Sequence, residues 1–518
     1  MHEPTVDSGQ ANDSEVLLQQ TLIERSATRP RASRGGPGLA LAVVMTGVLI
    51  TAVDTTIVVL ALPEIERALH IALASVIWVV IGYLLVITLL ATQVGRLGDM
   101  YGRVRMYEAG FILFVAGSAA CALAWNEASI IAFRVLQGIG GAFVTANSGA
   151  VIADLFPPEQ RGRAYGFNGV GWSLGAVLGI VLGGAIVTYV SWRWIFWINV
   201  PIGLAAVALA LRVLRDRGER RRRRLDVAGM LTLGMGLFGL LWGITRLATA
   251  QLDGALIGYL VAGAVLLVAF VWIERSVTEP MLELSLFRVP TMSPSLLASL
   301  VQALANYAVL FLVIMYLQGP RRLSPIHASL LLVPGYVIGG LLGPVAGRLA
   351  DRFAPVVPAT IGLAIQVVAL FAYAQMSVHT GLWLVVAASI VNGVGASFFF
   401  PGNNSAVMKA APPQLFGISS GMLRTFSNIG MVFSFSMAIL IASRSISRGL
   451  AFAIFVGSTS LQGRLASAFT SGLHAAFYAS MGLMALAALL SATRASRGLR
   501  GAGASSAPAP ARSGQGAP

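Results

Sequence analysis

The chain alternates between long apolar runs and short polar stretches, and this alternation predicts its secondary structure. Each apolar run has about the 20 residues or more that a helix needs to cross a bilayer. The runs lie at 39–62, 76–95, 106–124, 128–153, 163–189, 194–214, 226–246, 255–273, 291–317, 326–347, 356–376, 381–404, 415–442 and 471–492. We predict an all-α polytopic membrane protein with 14 transmembrane helices, because backbone groups in lipid must be hydrogen-bonded within each helix.

The polar segments divide the chain into regions of different character. We expect residues 1–38 to form a disordered cytoplasmic tail, and residues 494–518, rich in Ala, Gly, Ser and Pro, to form a second one. Residues 39–214 and 276–493 are the predicted six-helix halves. Residues 215–275 hold an arginine-rich cytoplasmic linker and two inserted helices, which completes a 6+2+6 arrangement.

A short charged loop occurs twice, at matching positions of the two predicted halves. The first copy, VGRLGDMYGRVR at 94–105, contains Gly95, Asp99, Gly102 and Arg103. The second copy, GPVAGRLADR at 343–352, contains Gly347, Asp351 and Arg352. The two aspartates are 252 residues apart (351 minus 99). This repetition predicts a duplicated membrane fold with two pseudo-symmetric halves.

Composition and charge agree with a membrane protein and predict its orientation. The chain is 56% hydrophobic and 11% charged, whereas soluble proteins carry about 25% charged residues. The net charge is +15, and arginines are concentrated in alternate loops, including the run at 220–224. The positive-inside rule therefore places both termini in the cytoplasm, and we expect a multi-pass protein of the plasma (inner) membrane. We interpret the arginine run as an anchor facing anionic lipid, and we expect no nucleic-acid partner.

Several kinds of chemistry have no recognisable motif in the sequence. Cys121 is the single cysteine, and the five histidines do not stand near cysteines or carboxylates at metal-ligand spacing. No loop of the type that binds nucleotide phosphates is present, and no Ser/His/Asp arrangement is recognisable. We therefore expect no enzyme activity, no metal, no cofactor and no bound ATP.

Two charged residues lie well inside predicted spans. Asp54 is the one carboxylate well inside a span, and Arg134 is a cation in the fourth span. Asp54 stands nine residues before Pro63 and Arg134 eight residues after Asn126. At about 1.5 Å per residue, both are roughly 12–14 Å below the same membrane face. A charged group in lipid costs several kcal/mol unless it faces a cavity, is paired or is neutralised, so matched depths favour a common role.

Several phrases together resemble the major facilitator superfamily, and within it the 14-span drug:proton antiporter branch. They are VDTTIVVLALPEI (53–65), GRLGDMYGRVR (95–105), FRVLQGIGGA (133–142), SWRWIFWINVPIG (191–203) and the glycines at 175, 179, 183 and 184. The resemblance covers about residues 39–492. Val59 and Ile180 depart from the branch, which has asparagine and proline at those positions. Gly175, Gly179, Gly183 and Gly184 are expected to form a helix-packing motif.

The resemblance implies roles for particular residues. Asp54 and Arg134 are expected to form an ion pair or share a water that couples transport to protons, with H⁺ as the coupling ion. Gly95, Asp99, Gly102, Arg103, Gly347, Asp351 and Arg352 are expected to gate the cytoplasmic side. The substrate cavity is expected to be lined by Gln137, Tyr83, Trp78, Gln302, Asn306, Tyr307, Met315, Asn392, Phe398, Phe399 and Asn403. The partners expected are the bilayer and a small lipophilic substrate, and the protein is expected to be a monomer.

Three functions remain open at this point. The first is proton-coupled export of small lipophilic compounds or drugs by alternating access. The second is another carrier mode on the same fold, either proton-linked uptake or export of a lipid or endogenous metabolite, which the departure at Ile180 keeps open. The third, a membrane-embedded enzyme or receptor, is opposed by the duplicated loop and by the lack of a catalytic cluster.

Overall fold

The structure is a computed structural model that describes residues 36–71, 73–156, 158–216, 224–249, 253–352, 354–412, 415–442 and 464–505. Apart from one short 3-10 helix at Leu284–Arg288, every regular element in these ranges is an α-helix. Three predicted segments lie largely outside the described residues. They are the N-terminal tail, the longest predicted loop at 443–470 and the end of the C-terminal tail.

The α-helices follow one another through the described ranges with short connections. They are α1 (Gly36–Leu69), α2 (Leu73–Val76), α3 (Trp78–Tyr101), α4 (Arg103–Ala122), α5 (Glu127–Leu155), α6 (Pro158–Tyr189), α7 (Trp194–Trp197), α8 (Asn199–Val213), α9 (Val227–Thr249), α10 (Gly254–Ser276), α11 (Met292–Gln318), α12 (Pro325–Leu330), α13 (Val333–Arg352), α14 (Val356–Ala374), α15 (Trp383–Ala410), α16 (Phe416–Ala442) and α17 (Arg464–Ser505).

The prediction of an all-helical membrane fold is confirmed. Within the described ranges, 13 helices are long and apolar enough to cross a membrane. The remaining predicted span, 415–442, is the 27-residue helix α16, which carries Arg424, Asn428 and several serines and falls outside that set. The last helix continues to Ser505, past residue 493, where we expected the second half to end.

The two halves repeat one packing pattern. In the first half, α1 packs on α6, α3 packs on α5, and α4 packs on both α5 and α8. In the second half, α11 packs on α16, α13 packs on α15, and α14 packs on both α15 and α17. Each contact has its counterpart at the matching position, which is the arrangement that a duplication produces.

The contacts between the halves follow the same symmetry. Helix α6 of the first half packs on α12 and α13 of the second, and α16 of the second half packs on α3 of the first. We call the end of the bundle that carries Asp99 and Asp351 the gate end, and the opposite end the far end. At the far end the Ile326 amide donates to the Thr188 hydroxyl over 3.3 Å.

Helices α9 and α10 form a hairpin inserted between the halves. They pack against each other, and α9 also contacts α3 and α16. Trp78 of α3 lies 5.2 Å from Phe238 and 5.4 Å from Trp242, measured between ring centroids. Contact among these three aromatic rings, of which Trp78 is buried and Phe238 is 44% exposed, holds the far end of the hairpin against the first half. Trp78, expected in the cavity, belongs to this cluster.

Candidate functional site

Asp54 and Arg134 form an ion pair in the interior of the first half. The Arg134 Nη1 atom donates to Asp54 Oδ2 over 2.7 Å. The Asp54 side chain is fully buried and that of Arg134 is 1% exposed. The two residues come from α1 and α5, 80 positions apart, so the equal depths inferred from the sequence correspond to a direct contact.

Neutral side chains complete the hydrogen bonds of this pair. Gln137 Nε2 donates to Asp54 Oδ1 over 2.8 Å, and Gln137 Oε1 accepts from Arg134 Nη1 over 2.7 Å. Asn199 Nδ2 lies 3.4 Å from Asp54 Oδ1 and 3.2 Å from the hydroxyl of Ser118. Four helices, α1, α4, α5 and α8, therefore contribute side chains to one buried polar network. Such networks fix a single arrangement when every member is satisfied.

The guanidinium of Arg134 is enclosed on its other sides. Its Nε atom donates to the main-chain carbonyl of Val79 over 2.7 Å. The Tyr83 ring lies beneath it, with Cζ 4.1 Å from the ring centroid, and the Phe196 ring is 5.8 Å away. Aromatic faces stabilise a desolvated cation by a few kcal/mol at most. Removal of the Asp54 charge would leave Arg134 buried among neutral groups, which is strongly unfavourable.

Local sequence explains how the pair is positioned. Asn126 begins α5: its side chain accepts from the Ser129 amide over 2.9 Å, and the Ser129 hydroxyl accepts from the Asn126 amide over 3.1 Å. This capping box fixes the start of the helix that carries Arg134 two turns later. On α1, Asp54 lies near the middle of a 34-residue helix.

Glycines of α6 allow α1 to approach closely beside Asp54. A Cβ atom placed on Gly175 would lie 2.7 Å from the main-chain oxygen of Leu49, and one on Gly179 would lie 2.7 Å from that of Val53. A Cβ on Gly183 would lie 2.9 Å from Ile57. Gly184 faces the second half instead, where a Cβ would lie 2.9 Å from the carbonyl of Pro325. Glycine is therefore needed along this seam, because the helix axes are closer than any side chain allows.

Arg103 in the first copy of the charged loop is held by bonds within its own half. Arg103 donates through Nε and Nη2 to Asp99 Oδ1, over 3.0 and 2.8 Å, and through Nη1 to Asp154 Oδ1 at the end of α5, over 2.7 Å. Gly102 has φ +111°, in the range that favours glycine. The Val104 amide donates to Asp216 Oδ1 over 2.7 Å, so the segment after α8 caps α4.

The second copy of the loop is described only in part. A Cβ on Gly347 would meet no atom within 4 Å, and the same holds for Gly95 in the first copy. Arg352 is exposed. The side chain of Asp351 lies outside the described residues, so its predicted gating role stays a prediction.

The predicted cavity residues of the second half fall into two groups. Gln302, Asn306, Tyr307 and Met315 lie on α11, with Asn392 nearby on α15. Gln302 Nε2 donates to Gln366 Oε1 over 3.3 Å, and Gln366 Nε2 donates to Asn392 Oδ1 over 3.4 Å. The buried oxygens Gln302 Oε1 and Asn306 Oδ1 have no hydrogen-bond donor. Asn306 stands 252 residues after Asp54 (306 minus 54), the same separation as the loop aspartates, so an amide replaces the acid in the second half.

The other group packs inside the second half. Phe399 is fully buried and Phe398 is partly buried. A Cβ on Gly362 of α14 would lie 2.6 Å from the Phe399 amide nitrogen. Asn403 is 1% exposed, and its Oδ1 accepts from Arg494 Nη1 over 2.7 Å. In this conformation Phe399 and Asn403 therefore support helix packing and are not accessible to a ligand.

Sequence reasoning did not find four residues that the structure brings into these sites. Asn199 and Ser118 support Asp54, Asp154 binds Arg103, and Arg494 binds Asn403. Asn199 lies in the phrase 191–203, but the sequence offers no second residue whose depth in the membrane would pair it with this amide. Arg494 was assigned to the C-terminal tail because the residues after it are small and polar, yet it is 2% exposed.

The side chain of Arg424 makes a hydrogen bond between the two halves. Arg424 Nη1 of α16 donates to the main-chain carbonyl of Thr145 on α5 over 3.3 Å. Both residues lie on the gate side of the centres of their helices. This side chain is exposed, and it adds positive charge to the surface between the halves.

The duplicated helical fold, the buried ion pair between the first and fourth spans and the repeated charged loop together define a membrane carrier of the secondary-transporter class. The sequence profile of the Major Facilitator Superfamily matches residues 44–435, and the chain belongs to this family. Its relatives and structural neighbours are membrane transporters and not enzymes.

Two curated relatives and one solved structure illustrate the range of similarity. The chain is 32% identical to the tetracenomycin C resistance and export protein of Streptomyces glaucescens, over 79% of this chain and 77% of the relative. It is 27% identical to the riboflavin transporter RibZ of Clostridioides difficile (strain 630), over 76% and 85%. A bacterial homologue of the human lysosomal transporter Spinster, solved in an inward-facing and unoccupied conformation, aligns with a TM-score of 0.63 at 17% identity, covering 90% of this chain and 98% of that one.

Proposed function

We propose that this protein exports small lipophilic compounds in exchange for protons, by alternating access. The observation that carries the proposal is the fully buried Asp54 carboxylate, bonded to Arg134 over 2.7 Å and to Gln137 over 2.8 Å. It is the one ionisable carboxylate in the described middle of the first half, and it is placed where protonation changes a contact between α1 and α5. Similarity to a tetracenomycin C exporter favours export as the direction.

The residues suggest how a proton is exchanged for substrate. When Asp54 accepts a proton, its ion pair with Arg134 becomes a hydrogen bond between a cation and a neutral carboxyl group. Arg134 then keeps Gln137 and the carbonyl of Val79 as acceptors but has no counter-ion, so the buried cation favours a different packing of α1 against α5. Return of the proton to the gate end restores the pair. Each cycle thus links one protonation to one rearrangement of the first half.

We further propose that the gate end faces the cytoplasm and that the structure represents the conformation open at that end. The arginine distribution supports the orientation through the positive-inside rule. The far-end bond between Ile326 and Thr188, the open space around Gly347 and the bonds of Arg103 within its own half support the conformation. The protein would act as a monomer in the plasma membrane, with both termini in the cytoplasm.

The lining of the second half supports a lipophilic substrate with few charges. The second-half residues predicted to line the cavity are neutral amides and aromatic or flexible apolar groups, and walls of this kind accommodate varied ligands. Arg424 adds a positive charge, while Asp54 is already paired. Neutral or weakly acidic compounds therefore fit these residues better than multivalent cations.

Expression in a host that lacks its own efflux pumps tests the direction and the coupling together. Accumulation of a lipophilic fluorescent dye is measured with and without a proton gradient, in cells that carry the protein and in cells that carry Asp54→Asn. We expect lower dye accumulation with the protein, and we expect an uncoupler or the Asp54→Asn change to abolish the difference. Unchanged accumulation of dyes across several chemical classes would contradict a broad export role.

A second function, proton-linked uptake or export of one endogenous metabolite, is favoured by a separate observation. The chain is similar to a riboflavin transporter, and the partly exposed amides Asn306 and Asn392 offer the directional hydrogen bonds that a polar metabolite requires. Higher accumulation of the test compound, dependent on the proton gradient, would support this alternative.

A further inference from the structure

Two buried carboxyl groups lie where the inserted hairpin meets α3. Asp226 immediately precedes α9 and is 4% exposed, and Glu274 lies near the end of α10 and is 3% exposed. They come from the two ends of one hairpin, and they are close enough for the charge of Asp226 to act on Glu274. The proposed exchange mechanism does not use either group. Both lie at the gate end, whereas Asp54 lies near the middle of α1.

Each carboxyl group has one oxygen satisfied and one oxygen unsatisfied. Asp226 Oδ1 accepts from the Gly229 amide over 2.8 Å, and Glu274 Oε2 accepts from the Leu282 amide over 3.0 Å. Asp226 Oδ2 and Glu274 Oε1 are buried without a hydrogen-bond donor. Two ionised carboxylates in this position would repel each other, and each would keep an unsolvated anionic oxygen, which is strongly unfavourable. One proton between the two groups removes both penalties.

The nearby arginine holds the main chain of the same junction. Arg96 of α3 donates through Nη1 to the carbonyls of Arg224 and Glu279, over 3.0 and 2.8 Å, and through Nη2 to that of Pro280, over 2.5 Å. It therefore grips both segments that flank the hairpin. Arg96 and Asp226 are the charged side chains that act on Glu274 electrostatically within the described ranges.

Gln93 makes the second attachment of α3 to the hairpin. Its Oε1 accepts from the Asp226 amide over 3.3 Å, and its Nε2 donates to the Asp226 carbonyl over 3.5 Å. Gln93 and Arg96 are three residues apart and share one face of α3. Arg96 belongs to the charged loop at 94–105 and is followed three residues later by Asp99, so the attachment lies within this loop, one turn before Asp99.

We propose that Asp226 and Glu274 form a proton-binding site. One proton shared between the two groups stabilises the contact of the inserted hairpin with α3 at the charged loop of residues 94–105. The proton comes from the aqueous phase and adds to one carboxylate oxygen, forming an O–H···O bond between Glu274 Oε1 and Asp226 Oδ2. No other bond forms or breaks. Loss of the proton leaves two anions in contact and loosens the ends of the hairpin where Gln93 and Arg96 hold them.

Thermal unfolding of the purified full-length protein in detergent, measured from about pH 6 to about pH 8, tests this proposal. The proteins compared are the wild type, Glu274→Gln, Asp226→Asn and the control Glu279→Gln. All four are also made with Asp54→Asn and with Glu66→Gln, because Glu66 is a further buried carboxyl group with an unsatisfied oxygen. In this range the folded protein holds a proton at the site, whereas the exposed carboxyl groups of the unfolded chain are ionised. The free energy of unfolding of the wild type should therefore fall as pH rises. We expect a decrease in Tm of about 2 °C or more over this range.

The amide variants keep the shape of the site and supply a permanent donor. Glu274→Gln offers an N–H to Asp226 Oδ2, and Asp226→Asn keeps the oxygen that accepts from Gly229. On the Glu66→Gln background, both should show a Tm that no longer depends on pH in this range, and Glu279→Gln should keep the pH dependence of that background. The same pH dependence in Glu274→Gln as in the wild type would overturn the proposal. Recovery of wild-type Tm near pH 8 on adding sodium ions would assign the site to a metal cation and would also overturn it.

Discussion

Arg103 at the start of α4 is joined to Asp154 at the end of α5 by a bond of 2.7 Å between Nη1 and Oδ1. The same guanidinium holds Asp99 of α3 over 2.8 Å, so one arginine ties the gate ends of three helices of the first half. Both ion pairs are about one quarter exposed, with side-chain exposures of 23–29%. In this conformation the charges of Arg103 and Asp99 are therefore paired within the first half.

Asp154→Asn should shift the protein away from this conformation. Partly exposed ion pairs contribute about 0.2–1 kcal/mol, so we expect the population with Arg103 held in the first half to fall by a factor of about 1.5–5. Spin labels on the gate ends of the two halves, placed on a Cys121→Ser background, would report the change as a new distance distribution. Glu64→Gln, which removes the Glu64–Arg67 pair (2.9 Å) near the far end, should leave the distribution unchanged. An identical shift in both variants would show that the Asp154 pair has no special role.

Gly179→Val should destabilise the first half. The new side chain would meet the main-chain oxygen of Val53, 2.7 Å from its Cβ, and the Thr56 hydroxyl. Forcing apart two packed helices costs about 1–3 kcal/mol, which corresponds to a fall in Tm of several degrees. Gly482→Ala on α17 is the control, because its Cβ meets nothing within 4 Å. Equal Tm values for the two variants would mean that α1 and α6 are not closely packed in the folded protein.

Asn403→Leu should destabilise the second half by removing an acceptor from a buried cation. Arg494 donates to Asn403 Oδ1 over 2.7 Å and to Ser295 Oγ over 2.8 Å, and among the described side chains it has no carboxylate partner. Loss of an acceptor from a buried charged donor costs about 1–3 kcal/mol. Asn403→Asp is the informative comparison, since it supplies a counter-ion, and its Tm should equal or exceed that of the wild type. If Asn403→Asp were as unstable as Asn403→Leu, the cation would not be the cause.

The sequence was sufficient to predict the helical fold, and matched depth together with the family resemblance predicted that Asp54 and Arg134 form an ion pair or share a water. Lipid tolerates few ionised groups, so Asp54 and Arg134 stand out against their apolar runs, and the helical rise converts their positions into depth. The repeated aspartates at 99 and 351 predict the duplication in the same way. These signals depend on strong contrasts in polarity that survive without any knowledge of packing.

The remaining partners depended on packing that sequence patterns do not encode. Neutral groups such as Asn199 and Ser118 occur throughout membrane helices, and nothing in their spacing indicates that they meet Asp54. Helix α16 carries Arg424 and several serines and contacts α3 of the first half, and nothing in its spacing indicates which residues face that half. Arg494 was misplaced because helix α17 continues into a stretch whose composition is typical of a tail.

The central claim is that protonation of Asp54 drives transport, and proteoliposomes that contain the purified protein test it most directly. A lipophilic dye that the wild type exports in cells is followed in two modes: accumulation driven by an imposed proton gradient, and exchange of labelled for unlabelled dye without a gradient. For Asp54→Asn we predict that gradient-driven accumulation is lost while exchange continues at a rate comparable to the wild type. Gradient-driven accumulation by Asp54→Asn at the wild-type rate would contradict the account.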